Sequence, residues 1–393
     1  MKILHINTKD IRGGAAIAAY RLHQGLLNEG IESKLLVQEK YSDDSNVIGP
    51  KTKFGKLGAS IKHEFEKIPF KLFSTREKGP WTANLYPSFL LKQIDQLDPD
   101  IIHLHLLTNS MLSIYEMGKI KKPLVWTMHD MWPFSGGFHY SNDYINHDGS
   151  SISKIILGVK KRYWKNLNIN LVSPSKWLAD LAQKSDLFIK EQVEVIQNPI
   201  DQKIFRQHDK LKAREIVGLE PDEKVILFGA VKATTDKRKG YDHLKLALEI
   251  FSEINNSWKV RLVIFGASRP VEEPYFPFPS TYLGRLYDQT TLSLLYSAAD
   301  VVLVPSMLDN YPNVILESLA CGTPVVAFNV GGIPEMINHK ENGFLAEPFS
   351  PDDLSEGIQW CMSAFDHRHA QLLSDHSLST GAQNYNKLYK KLV

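Results

Sequence analysis

Short apolar, β-branched runs alternate with helix-length amphipathic segments along nearly the whole chain. Ile3–Ile6 precedes Ala15–Asn28, a helical pattern closed by Gly30, and Ser33–Val37 follows as a second strand. Pro99-Asp100 opens Ile101–His105, Leu124–Met128 runs directly into His129-Asp130, and Leu171–Ser173 leads into a helical Lys176–Lys184. Val193–Ile196 then stops at Asn198-Pro199. The order restarts beyond this turn-rich point, with strands expected at Val225–Gly229, Arg261–Gly266, Thr281–Gly284, Val301–Pro305 and Pro324–Phe328. Strands that alternate with helices build a mostly parallel sheet wound on both faces, because parallel neighbours need crossover connections. The pattern therefore predicts an α/β protein of two doubly wound, Rossmann-like domains, residues 1–197 and 198–360, facing a central cleft. A helical tail over 361–393 is a candidate to cross back onto the first half.

Composition narrows the function classes. The 393 residues exceed one comfortable core, and 43% hydrophobic with 23% charged residues is an ordinary balance for a folded enzyme-sized chain. A net charge of +2 gives no global argument for nucleic acid, so none is expected as a partner. Cys321 and Cys361 are the only cysteines and form no CxxC, which excludes a disulfide framework and a cysteine-rich metal site. The N-terminal Met1–Asn7 is too short an apolar run for a signal peptide, and no stretch approaches the ~18 apolar residues of a membrane span. A cytoplasmic location is expected.

Two basic segments fall outside the βα order. Lys51–Lys78, the core of an insertion over 51–79, interleaves eight cations with Phe54, Leu57, Ile61, Phe65, Ile68, Phe70 and Phe73. Such a stretch suits peripheral contact with an anionic membrane, the alternative being aromatics packed on their own domain beside solvated lysines. Lys160-Lys161-Arg162 beside Tyr163-Trp164 reads as a solvated helix face, with contact to an acceptor phosphate as the alternative.

Four groups of residues could carry chemistry. Gly13-Gly14 lies between the first strand and a helix, where a backbone can approach an anion closely; an ordinary βα turn reads the same way. His129-Asp130 follows a predicted parallel strand, at the end where open sheets bind ligands. His103 and His105 share one face of their strand and are assigned to packing and loop hydrogen bonds. Asp236-Lys237-Arg238-Lys239-Gly240 places cations after the first strand of the second half, able to neutralise a departing diphosphate. Finally, Val304–Val326 ends a strand, carries Asp309 in a loop and presents Glu317 on the next helix.

The phrase around Asp309 and Glu317, with Gly322–Val326 and Gly331–Glu335, resembles the Glu-x7-Glu signature of retaining, nucleotide-sugar-dependent glycosyltransferases of family 4, Asp309 standing for the first Glu. The resemblance covers nearly the whole chain outside Lys51–Lys78 and the final tail. It implies a GT-B fold and a metal-independent hexosyltransferase, whose nucleoside-diphosphate sugar is a co-substrate and which needs no cofactor. It implies catalytic roles for His129, Asp309 and Lys239, and phosphate binding by Gly13, Gly14, Arg238, Lys239, Asn313 and Val314. Asp309, Tyr311 and Glu317 would hold the sugar and ribose, and Gly284, Arg285 and Leu286 the base. The family's arginine commonly follows the strand glycine, where this chain has Ala230; Arg238 or Lys232 takes its place. The implied acceptor is a polysaccharide or lipid-linked glycan. A nucleotide-sugar epimerase of the same fold and a catalytically silent sugar-nucleotide-binding subunit remain as alternatives.

Overall fold

Alternate residues of one strand face opposite sides of a sheet, so a strand with apolar residues at every position needs a core on each side. The second half of the chain meets that need directly. Its strands β8 (Lys224–Gly229), β9 (Val260–Phe265), β11 (Val301–Val304) and β12 (Val325–Phe328) divide their side chains between two clusters. Val225, Leu227, Val263, Val302 and Val325 enter one with Leu295, Ile315 and Leu319. Ile226, Phe228, Leu262, Val301 and Val326 enter the other with Leu244, Leu248, Leu354 and Ile358.

This computed structural model describes residues 1–50, 64, 68, 79–88, 90–141, 150–229, 236–255, 257–270, 275–363, 370–372 and 374–393. Ala230, Lys232 and nearly all of Lys51–Lys78 lie outside the described residues. Contacts divide the chain into two units, Met1–Pro199 with Leu378–Val393, and Ile200–Ser377. The second unit continues through the helix Pro351–Ser363 to Ser377, beyond the 360 limit read from the sequence.

The first unit holds β1 (Lys2–Lys9), β2 (Glu32–Glu39), β3 (Val47–Ile48), β4 (Ile101–Leu104), β5 (Leu124–Thr127), β6 (Ile169–Ser173) and β7 (Val193–Val195). Their order is β3-β2-β1-β4-β5-β6-β7, with every pair parallel. The second unit adds β10 (Ser280–Tyr282) and β13 (Gly343–Ala346) in the order β10-β9-β8-β11-β12-β13, again all parallel. In each sheet the chain leaves its first strand in one direction and later returns to build on the other side. That makes β1/β4 and β8/β11 the topological switch points, where the loops diverge beyond the strands' carboxyl ends. Among the described residues no helix is long and apolar enough to cross a membrane.

The helix Leu378–Tyr389 packs on the helix Gly14–Asn28 in the first unit, placing Ala382, Tyr385, Leu388 and Tyr389 in a core with Ile3, Leu22 and Leu26. Gly25 permits this approach, since a Cβ there would lie 2.6 Å from the Leu378 carbonyl oxygen. The obstacle is backbone, which cannot rotate away. Gly25→Ala is therefore expected to destabilise the protein by about 1–3 kcal/mol through overpacking, read as a lower urea midpoint. An unchanged midpoint would mean that the C-terminal helix slides without cost.

Candidate active site

In the second unit, the loops leaving β8 and β11 are joined by backbone. The Asp236 side chain accepts the Arg238 N–H at 3.1 Å and starts the short turn Lys237–Lys239. Gly240 then reverses the chain at φ +70°, where an added Cβ would lie 1.7 Å from the Pro305 carbonyl oxygen, so only glycine fits. Met307 N–H donates to the Arg238 carbonyl at 2.8 Å, fastening the two loops together. Gly331, at φ +60°, clears the Asp309 carbonyl, which accepts the Gly332 N–H at 3.1 Å.

This scaffold brings together residues that the sequence reading assigned to different parts of a ligand. Lys239 Nζ lies 2.6 Å from Asp309 Oδ2, and Arg238 Nη1 reaches the same oxygen at 3.5 Å. Arg238 also donates to the Leu308 carbonyl at 2.8 Å and pairs with Asp236 at 3.2 Å. Burial alone would raise the Asp309 pKa, but Lys239 and then Arg238 outweigh it and hold the carboxyl below its ordinary value. The result is a buried carboxylate bridging two cations at the switch point of the sheet.

Beyond Asp309, Tyr311 is buried and Pro312 starts the helix Asn313–Ala320 without a side-chain cap. Asn313 and Val314 thus occupy the first turn, where backbone N–H groups and the positive dipole end suit an anion. Glu317, further along this helix, is buried and accepts the Tyr296 hydroxyl at 2.9 Å. In the loop after β10, Gly284 sits at φ +64° and its carbonyl accepts the Gly266 N–H at 2.7 Å, tying it to the loop after β9. Arg285 is exposed there, while Leu286 packs against the core.

The first unit carries the remaining expected residues. Gly13, at φ +104°, precedes the helix Gly14–Asn28 with no side-chain cap. The buried Asp10 accepts the N–H groups of Ile11, Tyr41 and Ser42 and so fixes the loop before it. His129 follows β5, and its Nε2 lies 3.2 Å from His105 Nδ1. His105 Nε2 in turn lies 2.9 Å from His5 Nδ1. His103 bonds the Tyr389 hydroxyl at 2.6 Å and the Thr127 hydroxyl at 2.7 Å. Asp130 does not act as a partner reserved for His129: it accepts from His139 Nδ1 at 2.7 Å and from the Trp132 N–H at 3.0 Å.

Lys160 corrects the reading of its segment as a solvated face. It is fully buried, donates to the Trp132 and Ser135 carbonyls, and stacks 3.9 Å over the Trp132 ring. It holds the loop after His129 and is not available to an acceptor phosphate, whereas the exposed Lys161 pairs with Asp186. Sequence reasoning also missed His5, His139 and Tyr296 as partners of the site. A lone polar residue gives no local sign of a partner brought in by sheet register, as for His5, or by helix and loop packing, as for Tyr296 and His139.

A family model described as Glycosyltransferase Family 4 matches residues 12–203, and one described as Glycosyl transferases group 1 matches residues 209–371. An uncharacterized glycosyltransferase of Methanocaldococcus jannaschii is 32% identical over 190 residues, 46% of this chain and 47% of that protein. A D-inositol 3-phosphate glycosyltransferase of Segniliparus rotundus is 32% identical over 173 residues, 41% of this chain and 37% of that protein. The chain thus spans less than half the length of these curated relatives. Among solved structures, Anabaena HepE in complex with UDP-glucose superposes with a TM-score of 0.68 at 17% identity, covering 100% of both chains. Sucrose-phosphate synthase from Thermosynechococcus elongatus gives 0.64 at 18%, covering 100% of this chain and 98% of that one. At these identities the likeness is one of fold.

The first unit's histidines generate a pH dependence. Burial pushes His23 and His129 down to about 4, against the opposing pull of Asp44 and Asp130, and pushes His5, His103 and His105 well below the ordinary 6.5. Above pH 6.5 these rings are neutral whether the chain is folded or unfolded. Below it the unfolded chain takes up protons that the fold refuses, so stability falls by up to about 1.4 kcal/mol per group per pH unit. Carboxylates barely titrate between pH 7 and 5.5 and cannot mimic the effect. Urea unfolding followed by the fluorescence of the packed Trp126, Trp132 and Trp164 is expected to give a clearly lower midpoint at pH 5.5. Equal midpoints at the two pH values would refute the neutral-histidine core.

Proposed function

Because the chain belongs to the family 4 glycosyltransferases and has their GT-B fold, we propose that it transfers a sugar from a nucleoside-diphosphate sugar to an acceptor hydroxyl, with retention of anomeric configuration. The observation that carries this reading is the Lys239–Asp309–Arg238 cluster at the switch point of the second sheet. In a same-face route, the bond from the anomeric carbon to the diphosphate oxygen breaks and its electron pair leaves with the diphosphate. The acceptor oxygen bonds to the same face of that carbon, and its proton passes to a diphosphate oxygen. Negative charge on the leaving group grows as the bond breaks, so fixed cations stabilise the transition state more than the bound donor.

Lys239 and Arg238 are assigned to the departing diphosphate, joined by the first-turn N–H groups of Asn313 and Val314. Asp309 holds Lys239 aimed through their 2.6 Å ion pair until a phosphate oxygen shares it, and with Tyr311 it is assigned to the transferred sugar. Glu317, already fixed by Tyr296, is assigned to the ribose, and Gly284, Arg285 and Leu286 to the base. From the first unit, Gly13 and Gly14 are assigned to donor phosphate and His129 to the sugar. A growing polysaccharide or lipid-linked glycan is the acceptor class that the basic, aromatic Lys51–Lys78 favours, because such a stretch suits an anionic membrane surface.

Nucleotide release from UDP-, GDP-, ADP- and dTDP-sugars tests the reading, with UDP-glucose, the ligand of the Anabaena HepE structure, first in the panel. One donor is expected to be hydrolysed slowly without acceptor. Lys239→Ala should lower turnover at saturating donor by about 10²–10³-fold, as loss of one charge-stabilising group does elsewhere. Glu317→Ala should instead act mainly through a raised KM. Full turnover by Lys239→Ala would remove the leaving-group role. An altered free nucleotide sugar, in place of a glycosylated acceptor, would make the protein an epimerase. Failure of every nucleotide to bind would end the transferase reading.

A further inference from the structure

Behind His129, His105 and then His5 continue a row of imidazoles into the first sheet. His5 on β1 is the register partner of His103 on β4, and His105 lies just past the end of β4. The ring nitrogens run His5 Nδ1 to His105 Nε2 at 2.9 Å, then His105 Nδ1 to His129 Nε2 at 3.2 Å. We propose that His5 and His105 are positioning residues that hold His129 in the tautomer with its proton on Nδ1.

The argument is one of donors and acceptors. A neutral imidazole has one N–H and one lone pair, so a row of three linked by two hydrogen bonds admits two self-consistent proton arrangements. In the first, His5 Nδ1–H donates to His105, His105 Nδ1–H donates to His129 Nε2, and His129 keeps its proton on Nδ1. In the second, all three protons sit on Nε2 and the bonds run the other way. The inner end of the row decides between them. His5 is fully buried and its Nε2 has no hydrogen-bond partner among the described residues. The second arrangement would bury an unpaired N–H there, whereas the first leaves only an unused lone pair. Orphaned buried N–H groups are the rarer and more costly of the two.

The consequence deepens the proposed function and rests on it for the meaning of His129. With Nε2 committed as an acceptor and its single proton on Nδ1, neutral His129 meets any oxygen at Nδ1 as a donor. It can neither remove a proton through Nε2 nor place a lone pair beside an oxocarbenium-like carbon through Nδ1. Its part in transfer is then orientation, not base catalysis.

One nitrogen from each of His5, His103 and His105 also falls within 4.8 Å of the others, close enough to share a cation. Such an ion would have to replace the bonds of His103 to Thr127 and Tyr389 and the bond between His5 and His105. The geometry present is that of a hydrogen-bonded row.

Long-range ¹H–¹⁵N spectra of the full chain labelled at histidine, assigned by single-histidine variants at pH 7, read the tautomers directly. His5, His105 and His129 are expected to show protonated Nδ1, opposite to the preference of free histidine. In His5→Asn, an amide N–H can replace the Nδ1 donor, so His129 should keep its pattern. In His5→Leu that donor is gone, and the His129 signals should move toward the Nε2–H form. With the active donor, kcat of His5→Leu should fall at least about tenfold at similar KM, and His5→Asn should recover most of it. Protonated Nε2 on His129 in the wild type overturns the proposal, as does an unchanged His129 spectrum in His5→Leu. One divalent ion per purified chain, with shifted His5, His103 and His105 signals, would replace it by a metal site. If no nucleotide binds, the transferase reading fails while the spectra still decide the tautomer; His5→Asn and the wild type suffice should His5→Leu not fold.

Discussion

Parallel pairing of every strand in both sheets is the constraint from which the rest of the molecule follows. It sends all carboxyl ends of a sheet to one edge and forces each connection to cross a face, which buries the strands on both sides. The strands of the second unit are therefore committed to apolar packing, and polar chemistry is displaced to the loops at that edge. At β8 and β11, where the crossovers diverge, two loops from distant parts of the chain meet. Lys239 and Asp309 are 70 positions apart, yet the close approach of Gly240 to Pro305 leaves them 2.6 Å apart as an ion pair. A substituent on that glycine would separate the loops before it touched either charge.

The same constraint explains what could be read from the sequence. A strand buried on both faces is a continuous apolar run, so β8, β9, β11 and β12 stand out, and the glycines and prolines beyond them mark the loops. The two-residue edge strand β3 covers one neighbour and carries too little pattern to be distinguished from loop. Motifs confined to one loop and helix, such as Asp309 to Glu317, were legible because their geometry is local. Partnerships made by register or by tertiary packing were not. Nothing near His5 indicates that it pairs beside His103, nothing near Glu317 points to Tyr296, and the Lys160-Lys161-Arg162 run conceals one fully buried lysine beside an exposed one.

The first sheet departs from the apolar rule at several strand positions, Asn7, Ser33 and Ser173 among them, and most densely at the histidines on and beyond β1, β4 and β5. Buried polar rings are tolerated best when their nitrogens are bonded, and an unused lone pair, as on His5 Nε2, costs less than an orphaned N–H. His103 is satisfied from two directions, by Thr127 on the neighbouring strand and by Tyr389 of the C-terminal helix. Tyr385 of the same helix bonds the Thr127 hydroxyl at 2.7 Å. The last helix therefore does more than cover apolar surface, since without it a buried imidazole and a threonine hydroxyl would each lose a partner, at about 1–3 kcal/mol per unsatisfied group.

The two units end with opposite electrostatic characters. The row behind His129 is kept neutral by burial, and its polarity consists of oriented N–H and O–H groups. The switch point of the second unit instead concentrates two cations and a carboxylate in partly buried surroundings, where charge interactions are strong. In the proposed donor, a nucleoside-diphosphate sugar, the diphosphate is the anionic part, and the cations of the second unit suit it. Ionic groups suit the part whose charge changes during transfer. Neutral, fixed dipoles suit a ligand that must be oriented without attracting a counter-charge, and the tautomer proposed for His129 meets that requirement better than a ring free to ionise.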